Sequence, residues 1–355
     1  MTTFPGALLV GSVPLNSAEQ VMRSCSAQLG SHLLGLPDGE TGDRSIWIVF
    51  QAYRVFHGHP GIETVQRPEP VDGVEQWMPT SLANLWDFRV REGVDLRFHD
   101  LRYATTAQES YATFRALRDR GEIPAGVRFQ VSLPTAESIL FFFRSPDQFD
   151  RIIPAYTAAM EREVDELVSA IPAQDLLIQW DVCTEVLDAE GIFPWTPKGE
   201  PGPLTRYAEA IARLSDRIPD PVLVGYHLCY ADLGHQHLVE PKDLSLLVSM
   251  ANLTVASVAR RVDYFHMPVP RGRTDDDYFR PLHGLDIGEA RIYLGLVHHA
   301  DGVEGARTRQ RTASRHLGEF GIATECGFGR RPPEQVDPLL QIHRELVSSS
   351  AGSPA

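Results

Sequence analysis

The sequence is poor in lysine: Lys198 and Lys242 are the only two in 355 residues, and every other basic side chain apart from histidine is arginine. Acidic residues outnumber basic ones, and a net charge of −14 argues against a nucleic acid or an anionic membrane surface as partner. No apolar run approaches the ~20 residues that a membrane-spanning helix requires. Only four cysteines occur, Cys25, Cys183, Cys229 and Cys326, and their wide separation excludes a compact disulfide framework. The opening "MTTFPGALLVGSVP" has no basic n-region ahead of its apolar run. With no signal peptide read there, a cytoplasmic, reducing location is the expectation. Internal repeats and low-complexity segments are also missing.

What is present is an alternation of short apolar runs with longer stretches of helical period. The runs predict strands at 7–13, 32–38, 127–133, 175–181, 222–229, 262–267, 291–297 and 321–326. Amphipathic segments lie between them, and Ser17 with Gln20 reads as a helix-start capping box. Eight such pairs predict a single (β/α)8 TIM barrel over residues 1–348. A doubly wound open sheet is the alternative, but no glycine-rich phosphate turn follows the first strand. The long gap after strand two, 57–126, reads as an insertion covering the barrel mouth, and 349–355 as a flexible tail.

Along a strand, residues i and i+2 face the same side. In "VGYHLCY" this brings His227 and Cys229 together as strand five ends, with His266 closing strand six and Cys326 closing strand eight. Four zinc-competent side chains on one rim point to a metal site, against the alternative that the two cysteines are small buried hydrophobes. His298, in the "HHADG" loop after strand seven, stands where a general acid or alternative ligand would sit, or is one of a solvated pair. Arg330 and Arg331, just past Cys326, suit recognition of an anionic group on a substrate. Arg271 and Arg273 have the same position after strand six but share their loop with three aspartates.

Taken in order, these motifs resemble the catalytic half of the cobalamin-independent methionine synthase family. That family shares its barrel with uroporphyrinogen decarboxylases and coenzyme M methyltransferases. The matching segments are "GSVP" from Gly11 to Pro14, "DGE" from Asp38 to Glu40, "QWDVC" from Gln179 to Cys183, "HLCY", and "ECGFGRR". The resemblance implies that His227, Cys229 and Cys326 ligate zinc. It also implies that Ser12, Glu40 and Asp181 line the pocket of a small thiol acceptor, with the two carboxylates gripping its amino group. Two departures stand out: the family's glutamate ligand after strand six is missing, with His266 offered in its place, and the Glu-Pro after the strand-four aspartate is Val182-Cys183.

The chemistry implied is methyl or other alkyl transfer to sulfur. A free thiol has a pKa of ~8.5, and zinc coordination removes its proton. Neutral His266 in place of a carboxylate would make the site one unit less negative and suit a more activated donor. The aromatic run "LFFF" at 140–143 reads as core, or as a wall for a flat donor such as a folate. The competing class is a barrel lyase, decarboxylase or hydrolase in which the metal holds water.

Overall fold

The computed structural model describes residues 6–79, 84–193, 195–196, 202–232 and 236–350. Among the described residues are nine strands: β1 (Gly35–Pro37), β2 (Ile62–Gln66), β3 (Asp87–Val90), β4 (Arg128–Pro134), β5 (Leu176–Val182), β6 (Leu223–Leu228), β7 (Tyr264–Pro268), β8 (Arg291–Val297) and β9 (Gly321–Thr324). Ten helices accompany them: α1 (Ala18–Leu29), α2 (Val49–Gln51), α3 (Tyr103–Asp119), α4 (Phe149–Ala170), α5 (Thr184–Ala189), α6 (Gly202–Ser215), α7 (Ser245–Ser257), α8 (Asp276–Phe279), α9 (Gly302–Ala313) and α10 (Val336–Ser350). Seven strands form one parallel sheet in the order β1-β4-β5-β6-β7-β8-β9, and β2 with β3 forms a separate antiparallel pair.

All seven residues of β5 are buried, because helices cover one face of the sheet and its curl encloses the other. Burying each of its leucine and isoleucine side chains contributes about 1.5–3 kcal/mol relative to exposure. Inside the curl, Leu8, Val10, Leu177, Tyr264, Tyr293 and Ala323 form their own apolar cluster. Gly225 makes room for one of these rings, since a Cβ there would lie 2.1 Å from Tyr264. The Tyr264 hydroxyl donates to Gln179 Oε1 at 2.8 Å, which places a polar layer directly beneath the mouth.

The expected first strand is reduced to bridges at Ala7. This residue pairs in parallel with Leu33, just before β1, and with Ile322 in β9, so both edges of the sheet meet the same short segment. Beyond it the backbone leaves the sheet direction, and Val13 N–H donates to Gly39 O at 2.9 Å. The second predicted strand shrinks to three residues and ends at Pro37. The remaining six predicted strands match β4 to β9 to within a few residues at either end.

Within 57–126 the structure holds β2, β3 and α3. The helix α3 packs against α1 and α4, so it serves as the crossover helix between β1 and β4 rather than as part of a cover. Ser17 caps α1 by accepting from Gln20 N–H at 3.2 Å; Gln20 Oε1 reaches Asn16 N–H, one residue short of the expected reciprocal bond. Of the expected tail, residues 349 and 350 continue α10, and 351–355 lie outside the described residues. No helix among the described residues is long and apolar enough to cross a membrane.

Candidate active site

Strands β5, β6 and β7 run in register so that Asp181, His227 and His266 lie side by side. The first turns its carboxylate into the mouth, and two residues on in β6 the alternation brings Cys229 to the same side as His227. Cys326 arrives two residues after β9, where Thr324 Oγ1 donates to its carbonyl at 2.6 Å. His227, Cys229 and Cys326 offer one donor atom each, all within 4.8 Å of one another. Cys326 Sγ is 3.9 Å from Cys229 Sγ and 3.7 Å from His227 Nε2.

Hydrogen bonds fix the tautomers behind this group. The Thr324 carbonyl can only accept, so His266 carries its proton on Nε2 and donates to it at 2.9 Å. Burial lowers the His266 pKa to about 3, so the ring is neutral and its Nδ1 is an acceptor. His227 therefore donates from Nδ1 across 2.7 Å, which leaves its Nε2 lone pair facing the sulfurs. His266 is thus not brought to the thiols as the expected fourth ligand; it orients His227 from behind, as partners of metal-binding histidines commonly do. Its placement follows from β7 pairing: abreast of His227, it meets that ring rather than the cavity.

Burial, with His266 and Arg330 nearby, also holds His227 well below the usual imidazole range. The neighbouring Cys183 thiol, together with burial, pushes Cys229 up, and the neighbouring Cys229 and burial push Cys326 up. Without a cation both thiols keep their protons. The donor set itself, an imidazole lone pair and two thiols that a dication would deprotonate, suits a metal of intermediate softness.

A cavity of about 390 Å³ opens over these donors. Ser12, Glu40, Asp181 and Arg330 reach it from the barrel side, while Trp47, Phe141, Phe193 and Trp195 supply an apolar wall. The rings of Phe193 and Trp195 stack at 4.6 Å and 4°. Of the "LFFF" run only Phe141 lines the cavity; Phe142 and Phe143 are fully buried against Phe56.

Asp181 accepts from Gln179 Nε2 at 2.8 Å and from Trp47 Nε1 at 3.0 Å. Burial and the nearby Glu40 still raise its pKa well above the usual carboxylate range. Burial likewise raises Glu40, to about 7, against the pull of Arg44. Arg44 instead pairs with Asp38 at 2.5 Å, and Asp38 Oδ1 accepts from Glu40 N–H at 2.9 Å, holding Glu40 at a positive φ of 52°. Ser12 is enclosed by the loop after Cys326: a Cβ at Gly327 or Gly329 would meet Ser12 Oγ at 2.4 Å or 2.7 Å.

Arg330 donates from Nη2 to Asp232 at 3.0 Å and to Cys326 Sγ at 3.2 Å. Burial alone would lower its pKa, but Cys326 and Asp232 hold it above the ordinary arginine value. Arg331 is not brought to the cavity; its Nη2 lies 3.8 Å from Glu325. Nor is His298, whose Nε2 donates to the Val269 carbonyl at 2.9 Å and whose Nδ1 lies 3.3 Å from Glu325 Oε2. Beyond the end of β9 the loop turns Cys326 and Arg330 into the cavity, and neither Glu325 nor Arg331 lines it. Arg273 pairs with Asp275 at 2.9 Å within its own loop. Trp47, Asp232 and Thr324 escaped the sequence reading, since a loop indole, a loop acid and a backbone carbonyl carry no motif of their own.

No family model and no curated protein matches the sequence. Solved structures do. A B12-independent methionine synthase from Shewanella sp. W3-18-1, solved with selenomethionine, superposes with a TM-score of 0.62 over 98% of both chains at 11% identity. The chain has the fold of the B12-independent methionine synthases. A Listeria monocytogenes protein assigned to the vitamin-B12-independent methionine synthases gives a TM-score of 0.56 at 13% identity, covering 98% of this chain and 97% of that one.

Proposed function

We propose that this chain is a zinc-dependent alkyltransferase that moves a methyl or related group onto a small thiol. The observation that carries the reading is the His227, Cys229 and Cys326 donor group opening on a cavity that also holds Glu40 and Asp181. When bound, zinc would supply an acidified thiol at neutral pH. His227 and the two cysteines would hold it, and His266 with the Thr324 carbonyl would keep the His227 lone pair aimed. Glu40 and Asp181 would bind the polar head of the acceptor, with Ser12 beside them. Arg330 would offset thiolate charge at Cys326 and offer its remaining N–H to an anionic group. The flat apolar wall around Trp195 suits a planar alkyl donor such as a folate. His298 and Arg331, being engaged behind the cavity, have no part in this assignment.

The same reading treats the Ala7 segment as the eighth strand of a full (β/α)8 barrel, and the stretch before α3 as a cover over its mouth. Met78, Pro79 and Leu85 from that stretch line the cavity. Four free cysteines suit a reducing compartment such as the cytoplasm. The test is metal analysis of the purified chain, coupled to an alkyl-transfer assay with thiol acceptors. One zinc per chain is expected, with both metal and transfer lost in a Cys229→Ala, Cys326→Ala double variant. Full zinc in that variant, or hydrolysis without alkylation of any thiol, would overturn the proposal.

A further inference from the structure

We propose that Cys183 is the fourth donor of the metal set, making it one imidazole and three thiolates. This rests on the reading of His227, Cys229 and Cys326 as ligands. Strand β5 pairs with β6 through Asp181 with His227 and Val182 with Leu228, so Cys183 and Cys229 come next, abreast of one another. Adjacent strands are ~4.8 Å apart, and residues abreast in a sheet point to the same side. Cys183 and Cys229 accordingly line the same cavity as Asp181 and His227. Cys183 is 5% exposed and packs with Cys229 and Leu187, with Cys326 against the group.

Other groups near the fourth position are engaged. Both ring nitrogens of His266 are bonded, Asp181 is held by Gln179 and Trp47, and Asp232 pairs with Arg330. Glu40 stands outside the group of donors within 4.8 Å, with Oε1 beside Gly11. The Cys183 sulfur itself stands outside the group of donors within 4.8 Å, so joining it takes a turn about the Cα–Cβ bond. Zinc accepts a Cys3His set readily, and an acceptor thiol would have to displace one donor or expand the set to five. Three thiolates around a dication leave one net negative charge, and the buried Arg330 guanidinium, 3.2 Å from Cys326 Sγ, is placed to offset it.

The experiment replaces zinc with cobalt(II) and reads the sulfur-to-cobalt charge-transfer absorption, which grows with each thiolate bound. At equal loading, Cys183→Ser should lower that band by roughly one third, from three thiolates to two, while Cys25→Ser leaves it unchanged. Zinc affinity of Cys183→Ser, measured by chelator competition, should fall at least tenfold. Cys183→Ala takes its place should the serine variant fail to fold. An unchanged band together with unchanged zinc affinity overturns the proposal. A wild-type chain that takes up no cobalt, or a Cys229→Ser variant that loads fully, overturns the three-ligand reading beneath it, so the two failures are told apart.

Discussion

Two clusters of ionisable side chains lie next to each other beyond the strand ends, both holding histidine, arginine and glutamate but differently placed. On the outer side, His298, Arg331 and His237 gather around Glu325 at 3.3, 3.8 and 4.0 Å, and no member lines the cavity over the donors. On the inner side, His227 directs a lone pair at two sulfurs, and Glu40, Asp181 and Arg330 face open space. Glu325 and Cys326 are neighbours in sequence, as are Arg330 and Arg331, yet each pair is divided between the clusters. Residue type alone therefore does not separate the clusters; the way a side chain is turned decides between neutralisation within the protein and a place on the cavity wall.

The largest effect that would break this contrast is on metal binding. Cys229→Ala should weaken zinc affinity by more than ~100-fold, above the range seen for outer partners of metal ligands, whereas Glu325→Ala should leave zinc content unchanged. Equal losses in the two variants, by titration with a chromophoric chelator, would merge the clusters into one. Next comes the histidine pair. His266→Ala frees the His227 tautomer and should cost ~10–100-fold in metal affinity, while His298→Ala should cost none.

Arginine gives a smaller split. Arg330→Ala should raise KM for an anionic substrate several-fold more than for its neutral ester, and Arg331→Ala should move neither. A last effect, on folding stability rather than on binding, is a pH slope from Glu40. Its pKa rises from 4.5 unfolded to about 7 folded, so the native state holds the extra proton between those values. Stability is fully present below pH 4.5 and declines as pH rises through 7, by at most about 3 kcal/mol. Glu40→Gln should flatten that slope in urea unfolding at pH 5 and 8. A wild-type curve that rises over this interval would contradict the burial of Glu40.

The sequence made β4 to β9 legible because each carries apolar residues that are buried on both faces, β4 by alternation and the others as short runs. The first two predicted strands were overstated for a physical reason: Gly11 to Pro14 and Pro37 to Gly39 bend the backbone into turns that carry Ser12 and Glu40 into the mouth. His227, Cys229 and Cys326 could be read from period-two alternation. The role of His266 could not, because spacing along one strand does not reveal which side chain of the neighbouring strand it will meet. Helix α3 was legible in part, because "ESYATFRALRDRG" has a helical pattern, but the Pro/Gly-rich segment before it made the whole stretch read as an insertion. Cys183 carried a legible signal, two residues after Asp181, but its relation to Cys229 depends on the register between β5 and β6.

The short bridge at Ala7 has a mechanical consequence. Three backbone bonds, Ala7 N–H to His32 O, Leu8 N–H to Ile322 O and Ile322 N–H to Gly6 O, join the two edges of the sheet at this seam. Higher up, the loop after Cys326 grips the far side of the same seam, where Phe328 N–H donates to Ser12 O at 2.7 Å. A metal that anchored Cys326 to Cys229 would therefore act as a clasp, transmitting its hold through Gly327 and Phe328 to the segment that starts at Ala7. Opening of this seam, and with it amide exchange at Leu8 and Ile322, would then be governed from the mouth, by whether the clasp is fastened.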